Sequence, residues 1–337
     1  MNENLLIFFF GALFGLILQY AKLNKYNVIS AQSTLKNNTV IKTILLAIGI
    51  GIILLNVIIG LGWASYHIKP FITGGIILGG LIFGSGMAIL GYCPGTMAVS
   101  IGEGSLDAII GAIGGLIGGL TFTLLLPYIS PILGPNLGKI SLYSLMHNHI
   151  IYYVISLIIS GIIIFFAFKI NIGEGEKNSK WIISAVGLAV LNAIVFLKGT
   201  TNRPIGASTT YPYIADVIAG AKNNAYFSRI HTPGHWEMIF LFGAMIAAFI
   251  AALIKKDFKV KLIHENWRKY KGNSAIKRSL WAFIGGFILI FGARMAGGCT
   301  SGHILSGGMQ LALSSLTFAI FVFIGLVITG KIFYKER

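Results

Sequence analysis

Nine apolar stretches joined by polar connections leave this chain few folds to choose from. They run roughly from Leu5 to Tyr20, Thr43 to Gly62, Phe71 to Leu90, Leu106 to Leu126, Ile150 to Phe168, Trp181 to Leu197, Trp236 to Ile254, Ser279 to Ala293 and Leu311 to Ile328. A helix needs about 20 apolar residues to cross a bilayer. Lipid leaves backbone polar groups no water to bond with, so only helices or closed barrels span it. These runs read as transmembrane helices. Charged residues make up 11% of the chain, against about 25% in a soluble domain. Hydrophobic residues make up 55%, which excludes a disordered chain. The expected fold is an all-α integral membrane protein with about nine transmembrane helices, several of them short. The first run has no basic segment before it and no Ala-x-Ala after it, so it reads as a permanent helix rather than a leader.

A net charge of +16 would suit nucleic acid if it lay on one face. Here the basic residues fall between the apolar runs. The side holding the N-terminus carries six: Lys69, Lys139, Lys198, Arg203, Lys222 and Arg229. The opposite side carries 19, nine of them between Lys255 and Arg278 and others at Lys177 and Arg337. The positive-inside rule then puts the N-terminus outside and the C-terminus in the cytoplasm. A multi-pass protein of the inner membrane, with lipid and not nucleic acid around it, is expected.

The chain also contains a repeat. Gly86-Met-Ala-Ile-Leu-Gly-Tyr-Cys93 aligns with Gly292-Ala-Arg-Met-Ala-Gly-Gly-Cys299 at an offset of 206. Helices one to four then correspond to helices six to nine. This divides the chain into a first repeat (1–128), a connecting helix five with its loops (129–180) and a second repeat (181–337). A shift of five helices is odd, so the halves have opposite orientation, an arrangement common in transporters. The Gly-rich stretches Gly91 to Gly104 and Gly297 to Gly308 are expected to be re-entrant half-helices. Non-helical backbone at membrane depth must be buried or face a cavity. Cys93 would then come from the cytoplasmic side and Cys299 from outside. The small polar tract from Asn202 to Thr210 suits a further re-entrant segment.

These two are the only cysteines. A zinc site needs about four ligands, and no CxxC cluster is present. A buried cysteine is often just a small hydrophobe, but matching repeat positions favour a role for both. Arg294 is the one basic residue inside an apolar run, and intramembrane charges are functional candidates by default. It would offer planar donors to an oxyanion; the alternative is a snorkelling helix end. His303, four residues after Cys299, either polarises that thiol or caps a helix. Ser105 reads as an N-cap, Asp107 as a partner of the helix dipole and Glu103 as structural. Arg203 either attracts anions or is a solvated loop charge. His231-Thr-Pro-Gly-His235 with Glu237 faintly resembles a metal site, but its Pro-Gly pair argues for a turn. His147 and His149 sit in an external loop and carry no clear signal. Gly114 to Gly119 reads as a close-packing face. No P-loop, GxGxxG unit, GxSxG or HExxH is present, and neither a metal nor another cofactor is expected.

The two cysteine motifs, Gly91-Tyr-Cys93-Pro-Gly95-Thr with Gly102-Glu-Gly104, and Gly297-Gly-Cys299-Thr-Ser-Gly302-His303, resemble those of the YeeE/YedE family of membrane proteins. The segment from Asn192 to Thr209 and the opening Gly11 to Gln19 resemble the family's middle segment and first helix, so the resemblance covers nearly the whole chain. It implies a thiosulfate-uptake permease, not an enzyme, in which the substrate passes along a relay of cysteine thiols. Cys93 and Cys299 match two relay positions, and Asn24 stands at the third. Arg294 and His303 join this expected path, with backbone at Gly91, Gly95, Gly298 and Gly302 facing the oxyanion. The resemblance also implies that a separate small cytoplasmic sulfur-carrier protein can be a partner. Two other readings stay open: a permease for selenium compounds or other anions, and a membrane sulfurtransferase working through a cysteine persulfide.

Overall fold

In the computed structural model the described residues are 2–146, 148–175 and 178–335, so His147, Lys177 and Arg337 lie outside them. The described residues form helices and turns, with isolated bridges but no strand among them. Eight stretches are long and apolar enough to cross a membrane. They are α1 (Glu3–Tyr20), α3 (Thr39–Gly60), the broken pair α4 (Thr73–Leu90) and α5 (Pro94–Gly102), α6 (Leu106–Leu133), α8 (His149–Glu174), α11 (Ala225–Ile254), α13 (Ala275–Met295) and α14 (Leu313–Phe333). A shorter apolar helix, α9 (Lys180–Phe196), has 17 residues. The remaining helices are α2 (Tyr26–Ser33), α7 (Leu142–Leu145), α10 (Thr210–Ile218) and α12 (Glu265–Lys271). A π-helical segment, Thr300–Gly307, precedes α14. This is an all-α membrane protein.

The crossing of α4 and α13 lies at the centre. A Cβ at Gly86 would strike the backbone of Leu289, and one at Gly292 the backbone of Phe83. Gly79 likewise meets Ala296, and Gly285 meets Leu90. In each case the second contact is the first with its partners exchanged across the 206-residue offset. Residue numbers rise in opposite directions along the two helices, so they run antiparallel. Small residues at such a crossing let backbones approach closely, where lipid supplies no hydrophobic drive between helices. The other packings exchange in the same way: α1 lies on α11 and α9 on α3, while α6 lies on α13 and α14 on α4. Gly114 and Gly118 of α6 seat against backbone at Phe283 and Phe287 of α13, the close-packing face expected there.

Helix α8 stands apart and packs on α3, where Ser160 Oγ donates to Gly49 O at 2.7 Å. It buries only Tyr152, Ser156, Ser160 and Ala167. Ile150, Phe165 and Ile172 remain 75%, 62% and 78% exposed. Such an apolar surface marks a membrane- or protein-facing side.

Three sequence expectations need correction. The Pro-Gly pair at 233–234 makes no turn; α11 starts at Ala225 and carries Pro233 inside it. Proline removes one helical donor, a loss membrane helices tolerate when neighbours satisfy the freed groups. Helix α6 continues through Pro127 and Pro131 to Leu133. Arg278, counted among the basic residues between apolar runs, is a fully buried residue in the first turn of α13.

Candidate functional site

Both cysteines sit just past a helix end that turns on a left-handed glycine. Gly91, with φ of 82°, ends α4, and Gly297, with φ of 72°, follows α13. Glycine takes this conformation without a Cβ penalty. After Gly91 the chain restarts as α5 with Pro94 in its first turn, where a missing N–H costs nothing. Cys93 is the N-cap. Its Sγ accepts from the Thr96 amide at 3.4 Å and the Thr96 hydroxyl at 3.3 Å, while its own N–H donates to Thr96 Oγ1 at 2.8 Å. The half-buried thiol therefore lies at the N-terminal, positive end of α5.

Cys299 is buried, with Sγ 3.2 Å from Ser301 Oγ. Both thiols are free. Tyr211, in the first turn of α10, donates to Pro94 O at 3.1 Å and lies within electrostatic reach of both thiols.

A group of cations surrounds the Cys299 side. Arg294 is buried at the end of α13. Its Nε donates to Tyr226 OH at 2.8 Å, and its Nη1 donates to Ser208 Oγ and Thr209 Oγ1, each at 3.1 Å. All three acceptors are neutral. Thr209 passes the connection on, donating from Oγ1 to Glu237 Oε1 at 3.0 Å, while its amide donates to Oε2. Ser208 and Thr209 belong to the non-helical, buried end of the 202–209 tract. Arg203, at the start of that tract, lies over the Trp236 ring at 4.8 Å, and its buried Nε has no hydrogen-bond partner. Lys69, from the α3–α4 connection, donates to Gly297 O at 2.6 Å. Burial pushes its ammonium down to about 8, with repulsion from Arg294 and Arg203 adding to the fall and Glu237 and Cys299 opposing it.

The expected backbone glycines divide in two. Gly298 and Gly302 face the Lys69 ammonium, so a cation already stands where an anion would be drawn. Gly91 instead packs on the Tyr26 ring, and Gly95 on Phe14 and Ala207. His303, four residues after Cys299, is fully buried, and both its ring nitrogens bond groups other than the thiol. Nδ1 pairs with Ser315 Oγ at 3.0 Å and Nε2 with Ala296 O at 2.9 Å. A carbonyl only accepts, so Nε2 carries a proton, and in the neutral ring Nδ1 accepts from the Ser315 hydroxyl. His303 thereby holds the end of α13 in place.

Asn24 lies at the other end of α5, fully buried in the turn between α1 and α2. Its Nδ2 donates to Glu103 Oε2 at 2.6 Å and to Ser100 Oγ at 3.3 Å. Gln19 Nε2 donates to Glu103 Oε1 at 3.0 Å, and Lys25 Nζ to Oε2 at 2.7 Å. Nearby, Asp107 does more than face a helix dipole. Arg278 Nε donates to its Oδ2 at 3.1 Å, and Arg278 Nη2 also reaches Leu90 O at 2.7 Å. This pair holds the end of α4 immediately before the Cys93 break. Among the described residues no group of His, Cys, Asp and Glu could hold a metal ion, the His231–His235 segment included.

A model of a family described as Sulphur transport matches residues 25–328, most of the chain and both cysteine segments. The chain belongs to that family. It is also 27% identical, over 94% of each sequence, to the thiosulfate transporter TsuA of Spirochaeta thermophila. In this sulphur-transport protein several site residues escaped the sequence reading. Lys69 looked like any external loop charge, and nothing local marks it. Tyr211 follows a polar tract without a motif of its own. Glu237 was set aside with a metal pattern, although an acid at the head of an apolar run is itself a signal.

Proposed function

We propose that this protein is a permease that carries thiosulfate, or a close sulfur oxyanion, across the inner membrane. The observation that carries the reading is the buried Arg294 with only neutral acceptors, grouped with Lys69 and Arg203 around the Cys299 segment. A charge taken out of water is expensive unless it is compensated. A dianion arriving there gains charge-assisted donors that the protein leaves without a carboxylate in direct contact. From this outer group the path runs past Cys299 and Tyr211 to Cys93, then along α5 to Asn24. Thiols are weak, polarizable donors that suit a soft sulfur atom without trapping it.

The halves 1–128 and 181–337 act as inverted repeats around this path, with 129–180 outside them. The exchanged contacts of α4 and α13 support that division. A sulfurtransferase would want a base beside its thiol. The His303 ring is tied to Ala296 and Ser315 instead, which weighs for transport.

The test is uptake of thiosulfate labelled on both sulfurs into vesicles holding the purified protein, with selenium-containing and other anions as competitors. A permease delivers both labels in equal amount. Delivery of one label alone means sulfur transfer and overturns the reading.

A further inference from the structure

We propose that Glu103 is a tethered latch at the inner end of the path, a carboxylate that occupies the donors a passing oxyanion needs there. The proposal rests on the permease reading. A carboxylate and a sulfur oxyanion compete for the same charge-assisted N–H groups. Glu103 takes them from Gln19, Asn24 and Lys25 together, and it is itself buried. While it does so, these three donors are closed to a passing anion, and its negative charge repels a dianion.

Two further observations point the same way. The amides serving Glu103 leave Asn24 Oδ1 and Gln19 Oε1 buried without a partner. Unmet buried acceptors are costly, so the closed arrangement is not the best these side chains can make. The backbone is fixed, so opening the latch falls to the side chain alone. Glu103 caps α5, its carbonyl accepts from the Lys259 amide at 3.3 Å, and Gly104 follows with φ of 94°. At the latch opens a cleft of about 380 Å³ lined by Glu103 itself, by Lys22, Lys25, Lys259 and Lys261, and by Asp257. Helix α5 has nine residues, a rise of about 14 Å, so Cys93 at its head and Glu103 at its tail are successive levels of one route. Passage requires Glu103 to leave its donors as the anion takes them over, and the anion then steps into the basic cleft.

The experiment reads Cys93 directly. In a Cys299→Ser background Cys93 is the only thiol, and membrane-impermeant maleimide is applied from the face that carries Lys261. Glu103→Gln, whose amide cannot satisfy three donors at once, is expected to label at least fivefold faster than its parent. Lys25→Met, which removes one donor and keeps the carboxylate, is expected to move in the same direction, and it decides alone if Glu103→Gln does not fold. A change of less than fivefold in Glu103→Gln, or no acceleration in Lys25→Met where that variant decides, overturns the latch. Thiosulfate flux through the unmodified protein is measured separately. Its absence would defeat the permease reading without touching the labelling result.

Discussion

Arg294 sets the terms at the scale of single residues, because its guanidinium is buried against Tyr226, Ser208 and Thr209 and makes no direct ion pair among the described residues. A hydrogen bond to a charged group is worth about 1.5–3 kcal/mol, or roughly ten- to a hundredfold in affinity. Arg294→Gln should therefore raise the KM for thiosulfate by about that factor, with protein amount unchanged; an unaltered KM would take Arg294 off the path. Lys69 adds a pH dependence. Its ammonium is held at about 8 by burial, with Arg294, Arg203, Glu237 and Cys299 acting on it. Lys69 is charged below that value and neutral above it, whereas thiosulfate stays a dianion throughout. KM should rise between pH 7 and 9, and Lys69→Met should flatten the profile at the weaker level. Asn24 keeps a donor where the family resemblance implies a cysteine. Asn24→Cys should retain uptake and Asn24→Leu impair it; full uptake with Leu would remove Asn24 from the route. What sequence could show at this scale followed chemistry that is rare in apolar runs: the two cysteines and Arg294. The surroundings of Lys69 and Glu103 stayed hidden, since Gly297 reaches the first and Gln19 and Asn24 the second from far away in sequence.

At the scale of elements, the crossing of α4 and α13 was legible as a short glycine repeat, and its geometry was not. Gly86 and Gly292 are needed because backbone from the opposite helix fills the space a side chain would take. Overpacking of a tight core costs about 1–3 kcal/mol. Gly292→Val and Gly86→Val should each lower the melting temperature in detergent. The same change at Gly161, which has no neighbour within 4 Å of an added Cβ, should not. Equal melting temperatures for all three would show that the crossing tolerates separation. Helix boundaries were the weakest part of the sequence reading. Proline normally ends a helix, yet Pro127, Pro131 and Pro233 all sit inside one. The breaks after α4 and α13 were easier to read, because glycine at the end of an apolar run favours a left-handed turn there.

For the whole molecule, composition and run length were enough to read an all-α membrane protein, since lipid permits so few alternatives. Orientation rests on loop charge alone. A cysteine placed at Lys261 should resist impermeant thiol reagents applied outside intact cells, and efficient labelling there would invert the topology. The central claim is that Cys93 and Cys299 are stations on one anion path rather than packing residues. A loss of about 1.4 kcal/mol at either station slows passage roughly tenfold, whereas a folding defect lowers protein amount instead. Thiosulfate uptake into vesicles, normalised to folded protein, tests this most directly. The account predicts at least a tenfold fall for Cys93→Ala and for Cys299→Ala, and uptake at the unmodified rate in both variants would contradict it.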